Sequence, residues 1–255
     1  MTQDEQKRLA AEAALEALRP ALGAGVVLGI GTGSTTNCVI DALAPVKDQF
    51  DGAVASSVAS ARRLEGLGIR VLSLQESGPL ALYIDGADEA DPNLALIKGG
   101  GAALTQEKIV ASAAETFYCL VDESKCVETL GAFPLPIEYI ELAEAPLRRS
   151  LAARGAEGTR RAGVTTDNGH PIIDVRGLDL RDPDRRQSLA GLRPPGWCRL
   201  SRQPEEADQW RQEAADHHHG RELASPDMGL PHQGITAIAA VRSSGAALDR
   251  AGGQR

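Results

Sequence analysis

Aromatic side chains are scarce: Phe, Trp and Tyr make up 3% of the 255 residues. That shortage argues against a platform that stacks the bases of single-stranded nucleic acid on rings. Excess positive charge is missing too. The formal net charge is -8, which opposes general binding to nucleic acid or to anionic membranes. No apolar run approaches the roughly 20 residues of a membrane span. The opening MTQDEQKRLAAEA is polar and charged and lacks a signal-peptide pattern. The four cysteines (Cys38, Cys119, Cys126, Cys198) form no C-x-x-C pair, so reduced thiols in a cytoplasmic protein are expected. Metal-ligand spacing is absent as well; His217-His218-His219 in a polar stretch is a weak signal. An anionic metabolite stays possible if cations are focused locally.

What is present concentrates between Leu82 and Lys108. The run Leu82-Tyr83-Ile84 reads as a buried strand. Asp85 and Asp88 follow it around Gly86 and Ala87. A second short run, 94–97, delivers Lys98, and then come Gly99, Gly100 and Gly101. Ala102 is expected to open a helix whose second turn carries Glu107. Two Asp, one Lys and one Glu beside a bare backbone are parts for acid/base chemistry: a carboxylate to move a proton and a cation to hold developing charge.

Upstream, Thr2 and Glu5 form a capping box for a helix reaching Leu18. Lys7 and Arg8 lie in its early turns, either as a solvated face or with one pointing into a phosphate site. A strand over 26–28 leads into Gly29-Ile30-Gly31-Thr32-Gly33-Ser34-Thr35-Thr36 and a helix to Leu43. Strand, glycine loop and helix N-terminus make an anion cradle. Ser34 stands where a dinucleotide fingerprint needs its third glycine, and no Gly-Lys-Ser/Thr follows. A tight structural turn is the alternative for this loop. Further strands are expected over 52–55, 69–74 and 116–121, with a helix over 58–67. This rhythm implies right-handed crossovers and a mostly parallel sheet. The glycine loop, the Asp pair and Lys98 fall at strand carboxyl ends, where such sheets bind ligands. Lys125 stands just beyond the 116–121 strand, as a loop lysine or a ligand cation.

Phe133-Pro134-Leu135-Pro136 is a rigid connector. A strand over 137–140, a helix over 146–154 and a hairpin pairing 164–167 with 172–175 around Asn168-Gly169 are expected beyond it. Residues 1–136 thus form a Rossmann-like unit, 137–183 a partial α+β subdomain, and 184–255 a divergent tail. The tail has Trp197 and Trp210 but little periodicity, so it reads as disordered or frameshifted. One more short strand or helix is expected over 234–241.

The ordered set GIGTGSTT, DGADEADPN, KGGGAALTQEK, DESK and FPLPIE closely resembles the ribose-5-phosphate isomerase A family, over residues 2 to about 183. The resemblance implies a Rossmann-like sheet with a smaller α+β domain. It implies a cofactor-free, metal-free aldose–ketose isomerase acting on pentose phosphates, and a homodimer if the C-terminal region permits. It implies Glu107 as general base, and Asp85 and Asp88 as substrate-contacting carboxylates. Lys98 with Gly99, Gly100 and Gly101 would form a second substrate segment. Thr32, Gly33, Ser34 and Thr35 match the loop that holds the substrate's phosphate end, and Lys7 and Lys125 match cations near it. Where the family runs into VIPMA, this chain has Tyr139-Ile140-Glu141-Leu142-Ala143, and the family's closing strands are not recognisable after Pro183. Two alternatives follow: a non-catalytic sugar-phosphate sensor, or an inactive remnant.

Overall fold

The computed structural model describes residues 2–181 and 237–242. Helix α1 (Gln3–Leu18) begins at the expected capping box. Thr2 Oγ1 accepts from the Glu5 N–H at 3.3 Å and Glu5 Oε2 accepts from the Thr2 N–H at 2.7 Å. Two otherwise orphaned donors are satisfied, an arrangement worth about 1 kcal/mol. Then come β1 (Val27–Ile30), α2 (Ser34–Leu43), β2 (Gly52–Ala55), α3 (Val58–Gly66), the single turn α4 (Leu74–Ser77) and β3 (Leu80–Gly86). A small hairpin, β4 (Glu89–Ala90) and β5 (Leu96–Ile97), leads to α5 (Leu104–Ser112) and β6 (Ala114–Val121). The chain continues through β7 (Leu135–Glu138), α6 (Glu144–Ala152), β8 (Glu157–Arg160) and β9 (Ile172–Arg176); β10 (Ala237–Arg242) is the last described element.

The central sheet has five strands in the order β10-β6-β3-β1-β2, all parallel except the antiparallel edge β10. Alternation along the strands makes two apolar faces. Leu28, Ile30, Leu82 and Ile84 pack against Ala11, Ala14 and Leu18 of α1 and Val39, Ile40 and Leu43 of α2. Val27, Val54 and Tyr83 point the other way, into a cluster with Val110 of α5. Each fully buried Leu or Ile contributes roughly 1.5–3 kcal/mol, so both sheet faces are anchored before any polar group is considered. A second, three-stranded antiparallel sheet, β7-β9-β8, packs Ile173 and Val175 against Leu147 and Leu151 of α6.

Several boundaries differ from expectation. Residues 69–74 do not form a strand. Val71 makes one isolated bridge to Ala53, and a capping box between Ser73 and Glu76 turns the chain into α4. Ala102 does not open α5; it sits at φ 63, and the helix begins at Leu104, which moves Glu107 into the first turn. The strand expected over 137–140 starts earlier, at Leu135, and the helix expected over 146–154 is α6. Asn168-Gly169 does reverse the chain, with Gly169 at φ 78. However, β9 pairs with β7 and β8, not with 164–167. The reason is local: Thr166 Oγ1 accepts from the N–H groups of Asn168 and His170 and closes a compact loop instead of a ladder.

The segment expected over 234–241 is seen as strand β10. Trp197, Trp210 and His217-His218-His219 lie outside the described residues, as does the rest of the tail from 182. Among the described residues no helix is long and apolar enough to cross a membrane.

Candidate active site

Three loops leave the carboxyl ends of neighbouring parallel strands: after β1, after β3 and after β6. Together with the glycines before α5 they enclose a cavity of about 290 Å³. It is lined by Thr32, Gly33, Ser34 and Thr35, by Gly86, Ala87 and Asp88, and by Lys98, Gly99, Gly100 and Gly101. Glu107, Lys125 and Lys7 complete the polar wall with Asp122, and Leu120 and Val121 add an apolar strip.

Asp85 is the exception among the expected residues: it does not line the cavity but is fully buried beneath it. Its Oδ1 accepts from the Thr32 N–H at 3.0 Å, the Gly86 N–H at 2.8 Å and the Thr36 hydroxyl at 3.2 Å. Its Oδ2 accepts from the Tyr83 hydroxyl and from Lys98 Nζ, both at 2.7 Å. Five donors occupy the lone pairs that a carboxylate offers. Gly31 makes this possible, since a Cβ there would sit 2.0 Å from Asp85 Cγ. Asp85 therefore ties the phosphate-type loop, β3 and Lys98 together from below.

Lys98 is the hub above it. Its Nζ lies 2.7 Å from Asp85 Oδ2 and 3.1 Å from Glu107 Oε2, and it also donates to the Gly86 carbonyl. Burial alone would lower its pKa, but the two carboxylates outweigh burial and raise it, so Lys98 is held as a cation.

Glu107 is buried at the cavity wall, 4% exposed. Its pKa is raised to about 7, because desolvation outweighs the attraction of Lys98, and Asp85 and Asp88 add repulsion. Glu107 Oε2 is buried against Lys98 Nζ, and among the described residues it has no further hydrogen-bond partner. A carboxylate near pKa 7 at a cavity wall, held by a single cation, is matched to taking up and releasing a proton near neutral pH.

Asp88 faces the cavity, and its Oδ2 accepts from the Gly100 N–H at 2.8 Å. Gly100 has to be glycine, because a Cβ would fall 2.3 Å from Asp88 Oδ1. At the other end, Gly33 (φ 113) caps α2 and presents Ser34 and Thr35 at the helix N-terminus. The first N–H groups of a helix lack intrahelical acceptors and favour anions. Lys7 (15% exposed side chain, paired with the exposed Asp4 at 3.7 Å) and Lys125 add positive charge to the cavity wall.

Sequence reasoning left Tyr83 and Ser56 out of the site and read Thr36 only as part of the glycine-loop cradle; all three build the floor. Thr32 Oγ1 lies 3.1 Å from Ser56 Oγ, and Ser60 donates to the Gly31 carbonyl at 2.6 Å. Hydroxyls in a predicted apolar strand or helix carry no motif, so only their position marks them. Arg161 was missed as well. Among the described residues no group of three or more His, Cys, Asp or Glu side chains is arranged to hold a metal ion.

The sequence profile of the family described as Ribose 5-phosphate isomerase A (phosphoriboisomerase A) matches residues 52–190. A relative named Ribose-5-phosphate isomerase A from Acidithiobacillus ferrooxidans is 52% identical over 194 residues, covering 76% of this chain and 87% of that protein. The crystal structure of ribose 5 phosphate isomerase A from Neisseria gonorrhoeae superposes with a TM-score of 0.70 at 46% identity, covering 74% of this chain and 83% of that one. A D-ribose-5-phosphate isomerase solved in complex with phospho-erythronic acid gives 0.69 at 36% identity, covering 76% and 88%.

Proposed function

The chain belongs to the ribose 5-phosphate isomerase A family, and from that premise we propose that it interconverts D-ribose 5-phosphate and D-ribulose 5-phosphate without a cofactor, through a cis-enediol(ate), with Glu107 as general base. The observation that carries this is Glu107 itself: buried at the cavity wall, pKa near 7, and ion-paired with Lys98 at 3.1 Å.

The chemistry follows from the parts. The sugar ring opens, and the Glu107 carboxylate removes the proton from C2 of the aldose. The electron pair moves to form the C1–C2 double bond, and negative charge develops on O1. Lys98 stabilises that charge, and the protonated Glu107 returns the proton to C1 as the ketose forms. General-base catalysis of this kind contributes roughly 10²–10⁴-fold. Asp88, which faces the cavity, orients hydroxyls and passes protons during ring opening and between O1 and O2. Asp85 acts as a positioning residue, because its lone pairs are already taken. The α2 N-terminus with Lys7 and Lys125 holds the phosphate, so binding energy remote from the reaction places C1 and C2 beside Glu107.

The same reading assigns residues 1–136 to the site-bearing unit, 137–183 to the smaller subdomain and 184–255 to a divergent tail. It places the protein in the cytoplasm as a homodimer. The exposed Ile140 and Leu142, 49% and 91% accessible, support a subunit contact, and light scattering tests it. The sensor and inactive-remnant alternatives are not favoured, since the matched relatives are named as isomerases.

The test is conversion of ribose 5-phosphate by metal-stripped full-length protein beside Glu107→Gln. The wild type is expected to turn over and the variant to bind substrate but lose most of its rate. A near-wild-type rate in Glu107→Gln removes it from the role.

A further inference from the structure

Arg161 lies in the loop after β8, on the small sheet, 61 and 62 residues from the two glycines it touches. Its Nε donates to Asp174 Oδ2 at 2.9 Å and its Nη2 to Asp174 Oδ1 at 2.5 Å. This two-pronged pair, with side chains 16% and 22% exposed, fixes the guanidinium plane. The remaining nitrogen, Nη1, reaches out of the small sheet to the carbonyls of Gly100, at 3.1 Å, and Gly99, at 3.3 Å. Those two glycines line the cavity.

Ala102 stands at φ 63, uncommon for a residue with a Cβ, whereas Gly99, at φ 107, takes its positive φ without strain. Within the loop the Ala102 N–H donates to the Gly99 carbonyl at 3.1 Å. From outside it, Asp88 accepts the Gly100 N–H and Arg161 donates to both carbonyls. The Gly99–Gly100 segment is thus clamped between a carboxylate of the large sheet and a cation of the small one. Lys98 directly precedes this segment and Glu107 lies in the helix that follows it, so a slip of the loop moves both.

We propose that Arg161, seated by Asp174, is a positioning residue for the isomerisation. It fixes the glycine loop, and through it Asp88, Lys98 and Glu107, in the reactive arrangement. The role rests on the function proposed above. A misplacement of about 1 Å at a reacting centre is enough to cost on the order of 100-fold in rate.

The experiment compares wild type, Arg161→Ala and Arg161→Lys for kcat, KM and thermal melting, at a temperature well below the melting point of each. Arg161→Ala is expected to keep a cooperative melt and lose roughly 100-fold in kcat/KM, most of it in kcat. Millimolar guanidinium chloride is expected to restore part of the loss by refilling the vacated site, which a merely structural defect would not allow. Arg161→Lys keeps the charge, but one ammonium cannot hold Asp174 and both carbonyls, so a loss of about tenfold is expected. If Arg161→Ala does not fold, Arg161→Lys decides. A kcat/KM within about threefold of wild type in the variant that decides overturns the proposal, as does a loss in Arg161→Ala that guanidinium leaves untouched. If the wild type itself does not convert ribose 5-phosphate, the functional reading fails separately, and calorimetric affinity for phospho-erythronic acid becomes the readout. Weaker binding in the variant then supports the clamp; equal affinity, or none in either protein, overturns it.

Discussion

The titration of Glu107 is the sharpest consequence of the site geometry. An ordinary glutamate, near 4.5, is almost fully ionised at pH 6, whereas one raised to about 7 is not. With the raised value the ionised fraction falls to roughly one-tenth at pH 6 and one-hundredth at pH 5. If Glu107 is the base, kcat/KM, which reports the free enzyme, should drop about tenfold for each pH unit below 7. The assay is the pH profile of kcat/KM for ribose 5-phosphate between about pH 5 and 9. The substrate phosphate ionises at about pH 6 and adds its own limb below that, so the Glu107 limb is read above it. Lys98 supplies an internal control. Its charge lowers the Glu107 pKa, so Lys98→Met should move the acid limb to higher pH, besides slowing turnover. Asp85 keeps four other donors in that variant, from Thr32, Gly86, Thr36 and Tyr83. The linkage to stability has a definite sign. A carboxyl whose folded pKa is raised favours the folded state below pH 4.5, and that contribution is lost as pH rises through about 7. Wild type should therefore lose stability across that window relative to Glu107→Gln. A kcat/KM that stays flat from about pH 8 to 5.5, or a limb that moves to lower pH in Lys98→Met, refutes the reasoning.

Asp85→Ala leaves the Lys98 ammonium and the Tyr83 hydroxyl without their carboxylate in a buried site. A loss of about 3–5 kcal/mol in urea denaturation is expected; a loss below about 1 kcal/mol would mean the network is not holding the floor. Lys125→Ala and Lys7→Ala should each raise KM roughly tenfold with kcat little changed, as expected for a charged hydrogen bond to a remote anchor. A fall in kcat at constant KM would move those lysines from the phosphate end to the reacting end.

Much of the site was legible because its parts are local in the chain. Lys98, the three glycines and Glu107 span ten residues, and Gly31 to Thr36 form one strand-to-helix turn. Short-range chemistry of that kind is written directly in side-chain type and spacing. The misread elements show the limit. The stretch 69–74 has a strand-like composition, but the Ser73–Glu76 cap wins over propensity. The Asn168-Gly169 turn was recognisable, but its strand partner was not. β9 pairs with β7 and β8 instead, and Ile173 and Val175 pack against Leu147 and Leu151 of α6. Ala102 looks like a helix former, yet it takes a left-handed conformation two residues before α5 starts at Leu104.

The role of Asp85 makes the same point for chemistry. In the sequence it stands beside Asp88 in one motif, and the two look equivalent. Strand alternation and the fall of burial beyond the end of β3 separate them: Asp85 is fully buried and Asp88 faces the cavity. By itself the sequence determined the α/β class, the mostly parallel sheet and most of the residues that line the cavity, because those depend on periodicity and on neighbours along the chain. Only the tertiary structure decided which of Asp85 and Asp88 faces the cavity, what lifts Glu107 to about 7 and which arginine holds the glycine loop. Desolvation and contacts between residues as distant as Gly99 and Arg161 arise when the chain is packed, and no local pattern encodes them.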